Sequence, residues 1–151
     1  MDQKEIQDRE KARFIAVSEL YSLDFNGKLD EDQDLTVFEG MTEEEMNELD
    51  EETALMARYL IQGTLENREK IDALISEYSI NRPLEKINIV DRNVLRISIF
   101  QLDSLKDTHP TIIIDQAVKL SQSLSNDVSY KFINGILDKI VKDRYSDTAQ
   151  K

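Results

Sequence analysis

Four cations near the amino terminus, Lys4, Arg9, Lys11 and Arg13, stand ahead of an aromatic residue, Tyr21. In a helix, Arg9 and Arg13 are four residues apart and share a face, while Lys4 and Lys11 are seven apart and roughly align. Tyr21 falls two turns beyond Arg13 on a nearby face. Such a strip can bind single-stranded RNA, with cations on phosphates and the ring stacked on a base. The same stretch holds Asp2, Glu5, Asp8 and Glu10, so residues 1–13 are net neutral, and composition alone favours a solvated amphipathic helix.

Other reactive residue types are sparse or poorly arranged. His109 is the sole histidine and cysteine is absent, so no nitrogen- or sulfur-rich metal site can be assembled. Beside Pro110, His109 reads as a helix terminus. The acidic clusters at 30–34, 43–45 and 50–52 lack the alternating ligands and central glycine of a calcium loop, and read as a solvated face. Glycines 27, 40, 63 and 135 are isolated, so no phosphate-cradling loop exists, and no serine sits in a nucleophile turn. These patterns indicate a protein that is not an enzyme, without cofactor or metal.

Two further groups draw notice. Asp91 and Arg92 precede Arg96 on an apolar stretch; Asp91 is five residues from Arg96, so each is expected to bond a neighbouring helix or contact a partner. Phe132 lies beside Ile133 but off its stripe, and is either the edge of the core or an exposed stacking platform. Nearby, Asn134-Gly135 is a hairpin-turn dipeptide, yet Ile133, Ile136, Leu137, Ile140 and Val141 have helical spacing. A mid-helix glycine costs about 1 kcal/mol, against about 1.5–3 kcal/mol gained by each apolar side chain fully buried. The helix wins, and the glycine marks a narrow spot where another backbone or an RNA strand can come close, or where a neighbouring helix packs.

The elements that must position these residues are all helical. The 151-residue chain is rich in Leu, Ile, Glu and Lys and holds only two prolines. Helices are expected over 4–25, from a capping box at Thr42 and Glu45 to about Glu66, and over 67–79, 84–104, from Thr108 or His109 to Leu124, and 128–144. Gly27 should end the first helix, a short helix is expected around Leu35–Phe38, and Asn126-Asp127 should cap the last. The expected division is an N-terminal subdomain over about 1–80, a C-terminal one over about 81–145 and a polar tail over 146–151. No apolar run reaches the roughly 20 residues that span a bilayer, no secretory signal opens the chain, and the lack of cysteine suits a reducing, cytoplasmic compartment. Residues 24–52 hold thirteen acidic residues against Lys28 alone, which equals the whole net charge of −12. The body outside that segment is neutral.

Four stretches, in order, carry a resemblance over residues 9–143: Lys11-Ala-Arg-Phe-Ile-Ala-Val-Ser-Glu-Leu-Tyr-Ser22, Val90-Asp-Arg-Asn-Val-Leu-Arg-Ile97, Ile114-Asp-Gln-Ala-Val-Lys-Leu120 and Lys131-Phe-Ile-Asn-Gly-Ile-Leu-Asp138. The chain resembles the NusB family of bacterial transcription antitermination factors. The resemblance implies an all-α fold of two small helical bundles. It also implies pairing with NusE, a small-subunit ribosomal protein, to bind the box A element of nascent ribosomal RNA and help RNA polymerase read through terminators. By position, it assigns RNA contacts to Arg9, Lys11, Arg13, Tyr21 and Phe132, and an acidic position at the partner and RNA surface to Asp91; the residues themselves add Lys4 to the expected RNA contacts, and Tyr21 and Arg92 to the expected partner contacts. It leaves both a monomer and a homodimer open. Glu10 interrupts the basic cluster, Val128 stands where some members carry an acid, and Gln116 replaces a usual Glu. The expected consequence is weak RNA binding alone and tighter binding with NusE. The alternative is a protein-only interaction module whose acidic segment recruits a basic partner.

Overall fold

The computed structural model describes residues 2–126 and 128–145. Among them there are helices and turns but no strand: α1 (Gln3–Phe25), α2 (Glu43–Glu48), α3 (Glu51–Glu66), α4 (Arg68–Tyr78), a 3₁₀ turn (Leu84–Lys86), α5 (Ile89–Ser104), α6 (Pro110–Leu124), α7 (Ser129–Ile140) and a π turn (Val141–Tyr145). The chain forms two compact units, Met1–Glu66 and Asn67–Lys151. The boundary expected near residue 80 therefore lies earlier. The reason is α4, which buries Ile71 and Ile75 and gives Asp72 to Arg96 of α5. The expected tail 146–151 and the Asp127 half of the expected cap fall outside the described residues.

In the first unit α1 packs on α3. Ala12 and Ala16 on α1 and Ala57 on α3 are fully buried, and such small side chains let helices approach closely. Leu20, Leu23, Leu60 and Ile61 complete this core. The Asp2 carboxylate accepts the Glu5 N–H at 2.8 Å, capping the start of α1. Gly27, at φ +68°, closes its end, where the Lys28 N–H reaches the Leu23 carbonyl at 2.8 Å.

The 28–41 connection contains no helix around Leu35–Phe38; it is pinned by a side chain instead. Phe38 is fully buried, with the Arg58 guanidinium 5.8 Å from its ring centroid. Arg58 Nε donates to the Leu35 carbonyl at 2.7 Å, and the Glu39 N–H donates to both oxygens of the buried Glu19 carboxylate at 3.0 Å. Burial pushes the Glu19 carboxyl up from its ordinary range, and the Glu39 N–H partly offsets this. These anchors lie far apart in sequence and lack helical spacing, so periodicity could not show them.

The Thr42–Glu45 capping box forms as expected, with its two hydrogen bonds at 3.1 and 2.9 Å. The helix it starts is interrupted, however. Leu49 takes an extended conformation (ψ 130°), and α3 restarts at Glu51. Glu51 and Glu52 in the first turn of α3 complement the positive end of its dipole.

In the second unit α5 is the central helix, buried almost all round from Asn93 to Leu102, with α4, α6 and α7 packed on it. It begins later than residue 84, because Asn88 caps it by accepting the Val90 N–H at 2.8 Å. His109 Nδ1 accepts the Thr111 N–H at 3.1 Å, and Pro110 fills the first turn of α6. Asn126 Oδ1 accepts the N–H groups of Val128 and Ser129 at 3.1 and 2.9 Å, opening α7. On α7, Ile133, Ile136, Leu137 and Ile140 are buried, so the apolar stripe does override Asn134-Gly135.

Candidate nucleic-acid interface

The four cations of α1 have different fates. Lys4 Nζ sits 2.8 Å from Asp8 and 3.4 Å from Asp50, and these carboxylates push its pKa up to about 12. Arg9 is exposed beside a groove of about 320 Å³ that it shares with Glu5, Asp8 and Glu52. Lys11 is exposed on a second groove, of about 210 Å³, with Phe14, Glu19 and Glu45, and its charge helps hold the Glu45 carboxyl low after the dominant Thr42 hydrogen bonds. Asp50 of the acidic segment thus pairs with Lys4, while Glu52 and Glu45 of the same segment line grooves with Arg9 and Lys11.

Arg13 is a correction. It is 4% exposed, and burial lowers its guanidinium to about 10. It stands three, four and seven residues before Ala16, Val17 and Leu20, all buried, so the spacing that aligned it with Arg9 also placed it on the core side. Its burial leaves little of the guanidinium open to a phosphate.

Tyr21 is 39% exposed and stacks on Phe25, with ring centroids 6.1 Å apart and planes 10° apart. Phe14 is also exposed, and residues 14, 21 and 25 share one helical face. The spacing of Phe14 places it on the apolar stripe of α1 with Val17 and Leu20, yet it is exposed; Phe25 joins it only through its spacing to Tyr21.

In the second unit, Asp91 is also corrected. It is 2% exposed and accepts a hydrogen bond from Ser121 Oγ at 3.2 Å, which joins α5 to α6. Its burial leaves little of this carboxylate open to a partner. Arg92 is half-buried, its guanidinium directed toward the Ile87 carbonyl at 3.5 Å. Arg96 bonds the neighbouring helix, donating to both oxygens of Asp72 at 2.8 and 3.1 Å. Phe132 is half-buried, and the guanidinium of Arg82 lies 4.2 Å from its ring centroid. Around it Lys131, Asn134 and Gly135 are exposed. Among the described residues no group of three or more His, Cys, Asp or Glu could hold a metal ion.

The sequence model of the NusB family matches residues 10–142. The chain belongs to the NusB family. It is 35% identical over 132 residues to the transcription antitermination protein NusB of Treponema denticola, covering 87% of this chain and 94% of that one. The solved structure of T. maritima NusB aligns with a TM-score of 0.77 at 30% identity, covering 95% of this chain and 97% of that one. A crystal structure of the antitermination factors NusB and NusE in complex with dsRNA aligns with a TM-score of 0.76 at 26% identity, covering 91% and 98%. The four stretches that resemble NusB lie on α1, α5, α6 and α7, so the likeness is carried entirely by helices.

Gly135 lies within the last of these stretches and departs from the expected packing against a neighbouring helix. Among the described residues a Cβ placed there meets nothing within 4 Å, so no described neighbouring helix requires the glycine. Gly135→Leu is therefore expected to raise unfolding stability by about 0.5–1 kcal/mol through helix propensity. Urea denaturation checks this; a clear loss of stability would restore an intrachain packing role.

Proposed function

We propose that this chain is a non-catalytic, cytoplasmic RNA-binding adaptor that joins NusE on the box A element of nascent ribosomal transcripts and promotes processive elongation by RNA polymerase. The observation that carries this reading is the fit, over 91% of the chain, to a NusB solved with NusE and dsRNA. The exposed Tyr21, the half-buried Phe132 and the exposed cations Lys4, Arg9 and Lys11 suit that role. Cations contact phosphates and fix position, while rings stack on bases.

The same geometry makes binding by this chain alone weak. Asp50 pairs with Lys4, and Glu52 and Glu45 line grooves with Arg9 and Lys11, so phosphates must compete with one paired and two nearby carboxylates. Binding with NusE is expected to be tighter, because NusE adds contacts that do not face this competition. Fluorescence anisotropy with box A RNA, with and without NusE, tests this; equal affinities in both conditions would sink it. Alanine at both Arg9 and Lys11 should weaken RNA binding, leave NusE binding intact and flatten the salt slope by about 0.7 per lost phosphate contact. A protein-only module would instead show no RNA affinity to lose.

A further inference from the structure

Arg82 belongs to no helix and to none of the four stretches of family likeness, yet its placement is closely specified. The buried Ser79 ends α4: its N–H donates to the Ile75 carbonyl at 2.8 Å, and its hydroxyl donates to the Arg82 carbonyl at 2.6 Å. The Arg82 N–H returns a bond to the Ser79 carbonyl at 3.3 Å. Pro83 follows at φ −59°, which limits the chain on the other side of Arg82. From this clamped turn the exposed Arg82 side chain reaches the Phe132 ring at 4.2 Å, well inside the roughly 6 Å range of a cation–π contact. Among the described residues Arg82 forms no ion pair with a carboxylate, in contrast to Lys4.

We propose that Arg82 is itself a base-stacking residue: its guanidinium plane, laid on Phe132, presents an outer face on which one base of single-stranded RNA stacks. This rests on the adaptor reading above and adds a residue and a geometry to it. The ring face that a base would occupy is already covered by the guanidinium, so a base either displaces Arg82 or continues the column on top of it. A guanidinium is planar, weakly hydrated and always charged, so it offers a stacking face and N–H donors for a phosphate together. Exposed apolar residues neighbour both partners in sequence: Ile80, two residues before Arg82, is 85% exposed, and Val128, four residues before Phe132, is 63% exposed.

The test uses the full chain with NusE and single-stranded box A RNA carrying 2-aminopurine at one position at a time. Stacking quenches that fluorophore. The wild type should quench one position strongly. Arg82→Lys keeps the charge but loses the plane, so it should lose that quenching and about ten-fold in affinity, while the salt slope is retained. Arg82→Ala should lose both and flatten the slope by about 0.7. Lysine behaving as wild type would overturn the proposal, since charge alone would then suffice. Tighter binding or stronger quenching by Arg82→Ala would also overturn it, because Arg82 would then be shielding the ring. Failure of the wild-type pair to bind RNA at all would overturn the adaptor reading and the Arg82 assignment with it. Arg82 is exposed, so both variants should fold, and matching thermal unfolding curves verify that.

Discussion

Asp72→Ala is expected to destabilise the second unit by about 3–5 kcal/mol, the usual cost of removing one partner from a buried ion pair. The Arg96 side chain is 4% exposed and Asp72 14%, so water screens the pair little. The geometry is bidentate, with Nε and one terminal nitrogen of Arg96 donating to separate oxygens of Asp72 at 2.8 and 3.1 Å. Asn93 Oδ1 accepts a further bond from Arg96 at 2.9 Å, so the guanidinium is oriented from two helices. Alanine at position 72 leaves that charge in a site built for a carboxylate. With about 2–4 °C per kcal/mol for a protein of this size, the melting temperature should fall by about 10 °C. Calorimetry measures it, and a loss under about 1 kcal/mol would mean that the pair is effectively solvated. Asp72→Leu combined with Arg96→Met should recover much of the loss, since apolar replacement of both partners is often neutral. The consequence reaches the proposed RNA surface, because α4 runs directly into the Ser79–Arg82 turn.

Phe38→Ala should cost about 3–5 kcal/mol in the first unit, as large-to-small substitutions of buried aromatics do. Phe38 is 1% exposed and is the sole core residue supplied by the acidic connection. Its loss also removes the ring beneath Arg58, whose Nε holds the Leu35 carbonyl. The substitution therefore acts on local order as well as on global stability. Limited proteolysis should cut residues 28–41 faster in the variant, and the thermal transition should fall. An unchanged cleavage pattern would show that Glu19 and Arg58 hold the connection without the ring. This anchor also bears on RNA binding, because the same segment leads to Glu45, Asp50 and Glu52 beside the α1 cations. A loosened segment screens those cations differently, so the RNA affinity of Phe38→Ala is informative in its own right.

Local information was enough for most of the helices. Apolar spacing, the Thr42–Glu45 capping box, Gly27 beyond α1, Pro110 at the start of α6 and Asn126 before α7 are signals within a few residues of the ends they mark, and the structure uses each of them. The same applies to the charge distribution and to the four stretches of NusB likeness. The break at Leu49 is where local reasoning failed inside a helical region, since nothing in its immediate neighbours forbids a continuous helix.

The candidate site was legible only in part. Arg9, Lys11 and Tyr21 are exposed as a surface role requires, whereas Arg13 and Asp91 are buried. Helical spacing says which residues share a face; it does not say how wide the buried part of that face is. That width depends on what packs against the helix. Arg13 borders the apolar stripe of α1 and was drawn into it, and Asp91 was drawn inward by Ser121, 30 residues away. The Arg96–Asp72 clamp spans 24 residues, and the Arg82–Phe132 stack joins a turn to a helix 50 positions later by their numbering. By itself, the sequence determined the helices, their caps, the location of the acidic charge and the family. Only the tertiary structure decided which charged side chains face water and which aromatic ring carries a guanidinium, because those outcomes depend on contacts between segments that no local pattern encodes.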